Sequence, residues 1–338
     1  VSPPADLSKV LLRLLAAPNI SSKERVVRTY DHEVQGNTVL KPLHGKYGGP
    51  NDAAVLKPLH DSWQGLTVSC GMNSRYGRID PYWMAASSID EAVRNNVAVG
   101  GRRISLLDNF VWGNPEKSGP LADLLEACEA CYEFSKLFST PFISGKDSLY
   151  NESPLGPVTP TLLITAIGII PDLRKAVTLD FKRSGNPIYL VGKTYAELGG
   201  SEYYRLFNQV GRSAPKVNAL KAKKAFDSVI KAMDSGFVRA CHDISEGGLA
   251  IALSEMAISS DCGAEIDLRC VPSSMGSSPR DDFVLFSESN SRLLVEVARG
   301  KEKFFEKLMG ADAGLIGKVS ESECLSFSGL KSRKVLEI

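Results

Sequence analysis

The residues best suited to chemistry lie in the stretch HDISEGGL at positions 242–249. It places the carboxylate of Asp243 and the hydroxyl of Ser245 beside Gly247 and Gly248, at the predicted start of an amphipathic helix. Backbone N–H groups at a helix start are free and carry the positive end of the helix dipole. Such a corner suits a phosphate held through a metal ion, with the two glycines as phosphate contacts. The alternative is a capped helix in which Ser245 and the glycines only form the turn.

Oxygen-bearing side chains of the same kind occur at two earlier places. Asp52 lies between a glycine-rich loop and a strand, and Glu91 and Asn95 are four residues apart on a predicted helix, so they share one face. Each of these is by itself compatible with a plain turn or a solvated pair. Together with Asp243 they provide the hard oxygen ligands through which Mg²⁺ holds di- and triphosphates. The set therefore indicates a Mg²⁺–nucleotide site.

Two further positions carry weaker signals. Asp108 ends a short apolar strand, a position from which acids reach ligands in α/β folds. The pair Gly145 and Lys146 does not form a P-loop, because Thr140 stands where the earlier glycine belongs and Asp147 where Ser or Thr belongs.

Composition limits the class of protein. The 338 residues favour two domains, and 43% hydrophobic with 23% charged residues is typical of a globular chain. A net charge of +1 excludes general attraction to nucleic acid or to an anionic membrane. No apolar run has membrane-spanning length and no secretory leader is visible, so we expect a cytoplasmic protein. The seven cysteines lack disulfide spacing, and the isolated pair Cys128 and Cys131 indicates two thiols on a helix rather than a zinc or redox site.

The predicted elements mix helices and strands without the regular alternation of a doubly wound sheet, which indicates an α+β fold. Helices are expected over 7–15, 88–99, 121–137, 221–235 and 301–309, and strands over 66–70, 104–108, 161–170, 187–192, 238–241, 291–297 and 314–319. The charged stretch 175–186 is the expected boundary. We therefore divide the chain into a helical connector at 1–30, a first subdomain at 31–174 and a second at 175–338.

Six motifs together resemble one family, the phosphoribosylformylglycinamidine synthases of the AIR synthetase-like superfamily. More closely, the chain is similar to the C-terminal half of the small, stand-alone synthetase subunit. The motifs follow the family order almost to the end of the chain: Tyr30–Gly36, Glu91–Asn95, Leu107–Pro115, Ser144–Glu152, Gly199–Glu202 and His242–Leu249.

The resemblance implies a first subdomain that contributes strands to a β-barrel completed by a second, similar half, and a second subdomain that is an αβ sandwich. It implies a C–N ligase of purine biosynthesis, in which ATP activates the formamide oxygen of formylglycinamide ribonucleotide and ammonia from glutamine displaces phosphate. ATP or ADP and Mg²⁺ are the implied cofactors. The implied partners are the N-terminal half of the synthetase in the same full-length chain or a homodimer mate, a glutaminase subunit and a small bridging subunit.

Site residues are also implied by motif matching. Asp108 and Gly145 fall where family members contact ATP, and Ser148 falls where they contact the substrate. Ser245 falls where the large, fused members of the family contact a second, auxiliary nucleotide. The residues that match Mg²⁺ ligands around that nucleotide are Asp52, Glu91, Asn95 and Asp243.

The chain departs from the family pattern at two places. Lys146 stands where an amide ligates metal, so we expect Lys146 to contact a phosphate directly or Asp147 to take the metal. Arg102 and Arg103 replace the usual Gly-Ala-x-Pro turn and either bind phosphate or face solvent.

No catalytic residue is expected in this chain, because the family base belongs to the N-terminal half and the chain, which begins with Val1, is expected to be part of a longer protein. His32 is assigned a structural or substrate-adjacent role, and His44 and His60 are expected at the surface without partners. Two other functions stay open. One is a stand-alone AIR synthetase or small-molecule kinase relative acting as a homodimer, and the other is a nucleotide-stabilised structural half without chemistry of its own.

Overall fold

A computed structural model describes all residues from Val1 to Ile338. The chain opens with two helices, α1 (Leu7–Leu15) and α2 (Glu24–Val27). The Asp6 carboxylate caps α1 by accepting a hydrogen bond from the Lys9 N–H at 3.0 Å. The apolar side of α1 is buried in the core of the second sheet described below. No side chain caps α2, whose N-cap is Lys23.

The first half of the chain continues with ten strands and two long helices. They are β1 (Thr38–Leu40), β2 (Leu43–His44), β3 (Gly49–Pro50), β4 (Ala54–Leu56), β5 (Gly65–Gly71), α3 (Pro81–Ala98), β6 (Arg102–Val111), α4 (Ser118–Phe138), β7 (Phe142–Ser148), β8 (Glu152–Ser153), β9 (Gly156–Pro157) and β10 (Thr161–Ile170). Six of them form a sheet in the order β1-β4-β5-β10-β6-β7. The pairs are antiparallel except β6 with β7, and β7 is an edge strand.

Helix α3 is central to the packing. It begins at Pro81, well before the predicted residue 88, because Asp80 caps it by accepting from the Trp83 N–H at 3.0 Å and proline suits the first helical position. It contacts β5 and β10 on one side and α4, α6 and β13 on others. Most of its residues are therefore buried.

The second half contains nine strands and five helices. They are β11 (Pro187–Val191), β12 (Thr194–Tyr195), α5 (Glu202–Arg205), α6 (Ala219–Asp234), β13 (Val238–Asp243), α7 (Gly248–Ile258), β14 (Gly263–Asp267), β15 (Ser273–Ser274), α8 (Asp281–Phe286), β16 (Leu293–Val297), α9 (Glu302–Met309), β17 (Ala313–Ser320), β18 (Leu325–Ser328) and β19 (Lys334–Glu337). Seven strands form a sheet in the order β13-β16-β11-β17-β14-β18-β19, in which only β14 and β18 pair in parallel.

Hydrophobic packing joins the two sheets. One core of 39 buried residues includes side chains of α3, β6 and β10 from the first half and of α6, β16 and α9 from the second. A second core of 31 residues covers the other face of the second sheet with α1, α7 and α8. None of the helices combines the length and the apolar character that crossing a bilayer requires.

One strand was not predicted, and one predicted property of a helix was wrong. The polar segment after α4 is the strand β7, because its backbone pairs with β6. Helix α7 is not amphipathic: it is buried on nearly all sides, because it lies between the second sheet and the helices α1 and α8.

Candidate functional site

The loop between β3 and β4 meets the end of β13 at a buried cluster of two aspartates and a histidine. Asp52 Oδ1 accepts a hydrogen bond from the backbone N–H of Asp243 at 2.8 Å and lies 3.0 Å from His242 Nδ1. One ligand atom from each of Asp52, His242 and Asp243 lies within 4.8 Å of the others. The structure therefore brings together two predicted metal ligands that are 191 residues apart.

His242 is held between two carboxylates. Its Nε2 lies 2.9 Å from Glu255 Oε2 on α7, and its Nδ1 faces Asp52. Burial alone lowers the pKa of the imidazole, but the negative charges of Asp52 and Glu255 outweigh burial and raise the pKa well above its usual value. Each ring nitrogen lies within hydrogen-bond distance of one carboxylate oxygen, which favours the doubly protonated imidazole that donates to both. In this arrangement His242 orients Asp52.

Arg94 on α3 provides the other fixed charge. Its Nη2 and Nε lie 3.1 and 3.2 Å from Asp243 Oδ2, and its Nη1 contacts Asp90. Asp90 also accepts from the N–H of Ser291 at 2.8 Å and from its hydroxyl at 2.6 Å. Arg94 thus occupies one oxygen of Asp243, while Asp243 Oδ1 accepts no hydrogen bond. We did not predict a role for Arg94. The i,i+4 spacing of Asp90 and Arg94 was the available signal.

Glu91 and Asn95 lie beside the end of β5. Glu91 Oε2 accepts from the Met72 N–H at 3.0 Å, and Asn95 Nδ2 donates to the Cys70 carbonyl at 3.0 Å. Asn95 Oδ1 is buried and has no hydrogen-bond partner. Burial raises the pKa of Glu91 well above its usual value, and the nearby Glu246 adds to that shift. Glu91 lies outside the group of Asp52, His242 and Asp243, whose ligand atoms are within 4.8 Å of one another.

This cluster contains more carboxyl groups than cations. Arg94 and His242 are the cations that contact it, with Arg292 near Arg94, whereas six carboxyl groups interact with these cations or with one another: Asp52, Asp90, Glu91, Asp243, Glu246 and Glu255. Burial raises the pKa of Glu91 well above its usual value and that of Glu246 to about 7, because no cation contacts these two groups directly. An excess of buried carboxylates together with an orphaned amide oxygen fits a divalent cation, because such an ion would supply the missing positive charge and the missing partner.

The N–H groups of Gly247 and Gly248, in the turn before α7 (the glycine corner), have protein partners that were not predicted. Gly247 and Gly248 have φ of 75° and 72°, which favours glycine. The Gly247 N–H donates to Glu288 Oε1 at 2.8 Å, and the Gly248 N–H donates to the Ser245 carbonyl at 3.0 Å. Because both N–H groups are engaged within the protein, the structure argues against the predicted phosphate contacts at the two glycines. Ser245 does not cap α7, whose N-cap is Gly247.

Glu288 is expected to make the protein less stable as the pH rises. Burial raises the pKa of this carboxyl to about 7, although the Gly247 N–H opposes the shift. The folded state therefore retains a proton that the unfolded state releases near pH 4.5. This contribution to stability is complete below that pH and is lost as the pH rises towards about 7.

The measurement is urea unfolding of the wild type and of Glu288→Gln at several pH values. We expect the difference between their free energies of unfolding to change by about 2 kcal/mol between roughly pH 5 and pH 8. Parallel pH profiles for the two proteins contradict this prediction.

The remaining predicted ligand contacts gather at the opposite edge of the first sheet. In the parallel register of β6 and β7, Asp108 faces Gly145. A Cβ added at Gly145 would lie 2.3 Å from Asp108 Oδ1, so the carboxylate covers the glycine. Burial raises the pKa of Asp108, and the charge of Asp147 raises it further. Lys146 Nζ contacts Ser148 Oγ, which places these two side chains together on the exposed edge strand.

Other predicted residues have structural partners. Arg102 does not face solvent freely, because its Nη1 and Nη2 lie 2.8 and 2.9 Å from Asp234 oxygens. Arg103 is exposed without an ion pair. His44 is half-buried and lies 2.9 Å from Asp180 Oδ1, so the predicted lack of a partner was wrong.

The four other residues singled out from the sequence are two histidines and two cysteines. His32 lies 3.3 Å from the Tyr30 carbonyl through its Nδ1, and His60 is exposed. Cys128 and Cys131 are free thiols on α4, like the other cysteines of the chain.

Two family models match the chain, one for each half. The model described as AIR synthase related protein, N-terminal domain, matches residues 50–170. The model described as AIR synthase related protein, C-terminal domain, matches residues 183–328. The first match contains Asp52, Glu91 and Asn95, and the second contains Asp243.

Curated relatives carry the name phosphoribosylformylglycinamidine synthase subunit PurL. The protein of Methanothrix thermoacetophila is 41% identical over 311 residues, which are 89% of this chain and 39% of the relative. The protein of Thermococcus sibiricus is 39% identical over 322 residues, which are 95% of this chain and 43% of the relative. The chain thus spans about two fifths of the length of the curated relatives it matches.

Solved structures show the same fold. A structure described as T. maritima PurL complexed with FGAR aligns with a TM-score of 0.79 at 16% identity, over 99% of this chain and 52% of that one. Another described as T. maritima PurL complexed with ADP has a TM-score of 0.73 at 17% identity, over 98% and 50%. E. coli HypE, a hydrogenase maturation protein, has a TM-score of 0.61 at 18% identity, over 80% and 84%. The predicted AIR synthetase-like α+β fold is confirmed.

Proposed function

The chain belongs to the AIR synthase-related family, and on that premise we propose that it is the C-terminal half of a phosphoribosylformylglycinamidine synthase subunit. The reaction converts formylglycinamide ribonucleotide, ATP and glutamine-derived ammonia into formylglycinamidine ribonucleotide, ADP and phosphate. The name shared by the curated relatives supports this reaction. The division into a connector at 1–30 and subdomains at 31–174 and 175–338 is part of the proposal, since both family matches lie inside the two subdomains.

The observation that carries the proposal is the unbalanced carboxylate cluster between the two sheets. Asp52, Glu91, Asn95 and Asp243 would hold Mg²⁺, which would neutralise the phosphates of a bound nucleotide, and Ser245 would contact that nucleotide. The protein's own contribution is orientation: Arg94 fixes one oxygen of Asp243, and protonated His242 fixes Asp52. The same arrangement leaves Asn95 Oδ1 without a hydrogen-bond partner, and Asp243 Oδ1, which lies 4.0 Å from His242 Nδ1, accepts no hydrogen bond.

The edge of the first sheet formed by β6 and β7 would line the site of the reaction. Asp108 and Gly145 would contact ATP, Ser148 would contact the substrate, and Lys146 would contact a phosphate unless Asp147 takes a metal there. The side chains of Lys146 and Asp147 on β7 are exposed, and the outer backbone edge of this strand is unpaired. An open strand edge of this kind favours pairing with another protein segment, so a second protein half would complete the site. No residue of this chain is assigned as the catalytic base.

The partner surface has a second part on α4. Leu121, Leu125, Cys128 and Tyr132 follow one another at helical spacing and are all exposed, and we call them the α4 stripe. The stripe lies on the helix that precedes β7. An apolar helix face beside an open sheet edge fits a second AIR synthetase-like half, either the N-terminal half of the same full-length protein or a second copy. A glutaminase and a small bridging subunit would complete the enzyme. A structure described as PurLQS from Thermotoga maritima shares the fold of this chain.

Nucleotide binding can be tested by thermal unfolding of the full chain with ADP and Mg²⁺. At saturating ligand we expect the melting temperature of the wild type to rise by about 2–4 °C or more. Asp243→Asn and Asn95→Ala, which remove ligand oxygens, should show no rise, and ADP with EDTA should have no effect on the wild type. Circular dichroism before heating shows that each variant is folded. No shift in the wild type, or an equal shift in both variants, overturns the assignment of this site.

The stand-alone alternative has one observation in its favour. The chain covers 84% of E. coli HypE, so a chain of about this length is enough for a whole protein of this fold. The isolated chain is therefore to be assayed with formylglycinamide ribonucleotide, ATP and ammonia. Turnover by the isolated chain contradicts the half-enzyme proposal, while absence of turnover that is restored by an added N-terminal half supports it. Failure of restoration, with nucleotide bound, favours the structural half without chemistry.

A further inference from the structure

A second cavity, of about 640 Å³, lies far from the carboxylate cluster. Its walls are the segment that joins the two sheets (residues 174–186, here called the link), the end of α6, the start of β13 and the residues after β16. Val238 lines it, whereas Asp243 ends the same strand. Five residues of extended strand separate the two sites by about 16 Å.

Positive charge dominates this cavity. Its lining contains six cationic side chains and one carboxylate, Asp234: the cations are Arg174, Lys175, Lys182, Arg183, Arg239 and Arg299. Asp234 already pairs with Arg102, Arg174 pairs with Asp172, and Lys182 pairs with Asp180. The other four cations have no carboxylate within 4.0 Å. Lys175 Nζ donates only to the Asp234 carbonyl, at 3.2 Å. Four like charges that line one cavity without ion-pair partners repel each other, which favours a polyanionic ligand.

The cavity is built before any ligand arrives. Buried Glu296 fixes the link by accepting from the Lys182 N–H at 2.8 Å, the Arg183 N–H at 3.2 Å and Asn186 Nδ2 at 2.5 Å. Asn186 Oδ1 in turn accepts from the Arg299 N–H at 3.2 Å. These bonds connect the link to β16, which carries Glu296, and to Arg299 just after it. A preformed site binds with a smaller loss of conformational entropy than a mobile loop does.

The bottom of the cavity is apolar, whereas cationic side chains surround its opening. Val177, Met233, Val238 and Ala298 are buried apolar side chains of the lining. Cationic groups around an apolar floor match a molecule that has several phosphates and a less polar body. A cavity of several hundred Å³ has the size of small-molecule sites. A protein segment or a nucleic acid would be expected on a flatter and more extended surface.

We propose that this cavity is a binding site for a small molecule carrying two or more linked phosphates, separate from the Mg²⁺–nucleotide site. The arginines donate pairs of hydrogen bonds to phosphate oxygens, and the four unpaired cations match the charge of a di- or triphosphate. No metal ion is needed at this site, because the protein supplies the neutralising charge. This distinguishes it from the carboxylate cluster, which repels free phosphates.

The test is calorimetric titration of the full chain with inorganic tripolyphosphate in EDTA. EDTA removes the metal that the carboxylate cluster would require. We expect one site per chain, and at least a tenfold weaker affinity in the double variant Arg239→Gln/Arg299→Gln. The matched control is Arg25→Gln/Arg212→Gln, which removes the same charge at exposed arginines that have no ion pair and do not line the cavity. It should change the affinity less than twofold, and Asp243→Asn should leave it unchanged.

Several results would overturn the proposal. They are the absence of binding to the wild type, an equal loss in the control, and a titration that shows many weak sites instead of one. Binding of a polyglutamate peptide without binding of tripolyphosphate would also overturn it, because the surface would then be a protein-docking site. If the double variant does not fold, as judged by circular dichroism, Arg183→Gln and Lys175→Gln are measured singly, and each should lower the affinity.

Discussion

Replacing Arg94 with methionine is expected to lower the free energy of unfolding by about 3–5 kcal/mol. Arg94 is buried and is the guanidinium that contacts both Asp90 and Asp243. Methionine keeps much of the side-chain volume but leaves two buried carboxylates without their cation. Such uncompensated charges cost more than the lost ion pair itself contributes. Urea unfolding of the full chain measures the change.

The matched control for Arg94 is an arginine in an exposed pair. Arg174 lies 2.8 Å from Asp172 Oδ1 and has 62% of its side chain exposed. Arg174→Met should therefore change the free energy of unfolding by at most about 1 kcal/mol. Arg94→Lys should have an intermediate effect, because one ammonium cannot reproduce the bidentate geometry. A loss of less than about 1 kcal/mol in Arg94→Met would contradict the role of Arg94 as the buried counter-charge.

Leu125→Glu is expected to weaken association with a second AIR synthetase-like half at least about a hundredfold, which corresponds to about 2.7 kcal/mol. Leu125 is 61% exposed at the middle of the α4 stripe. A glutamate placed inside an apolar interface would have to lose its hydration without gaining a partner. Analytical ultracentrifugation measures self-association of the full chain. The same measurement is made with the N-terminal part of the Methanothrix thermoacetophila relative added.

Leu220 provides the control for this substitution. It is exposed to a similar extent, 67%, but lies on α6 and belongs neither to the α4 stripe nor to β7. Leu220→Glu should leave association unchanged. If both variants weaken association equally, the effect is general and the α4 stripe is not the interface. If the wild type associates with neither itself nor the added half, the proposed partner is wrong.

Some elements could be predicted closely from the sequence because local patterns specify them. The strand Thr161–Ile170 has the predicted bounds, since every second residue is apolar and Pro171 follows. The helix Leu7–Leu15 likewise follows its apolar periodicity. By contrast, the residues Ser144–Ser148 of β7 have no strand pattern. Only backbone pairing with β6 makes them a strand, and pairing between distant segments is not encoded in local periodicity.

In the candidate site, too, residue types could be predicted from the sequence but contacts between distant segments could not. The oxygen-bearing residues could be selected by type and by resemblance, and the structure brings Asp52 to Asp243. The groups that hold them could not be selected, because the Arg94–Asp243 and Glu288–Gly247 contacts join residues 149 and 41 positions apart. The glycine corner was misjudged for this reason. The N–H groups of an isolated helix start are free, but here Glu288, which is distant in the sequence, accepts a hydrogen bond from the Gly247 N–H.

The hydrophobic core shared by the two sheets has a consequence for how the protein comes apart. Its 39 buried residues include Met84 and Ile164 from the first half and Phe226 and Val295 from the second. Neither sheet can lose its fold without exposing the apolar face of the other. Heat or urea should therefore melt both halves in a single cooperative transition, and a protease cut within the link should release no independently folded fragment.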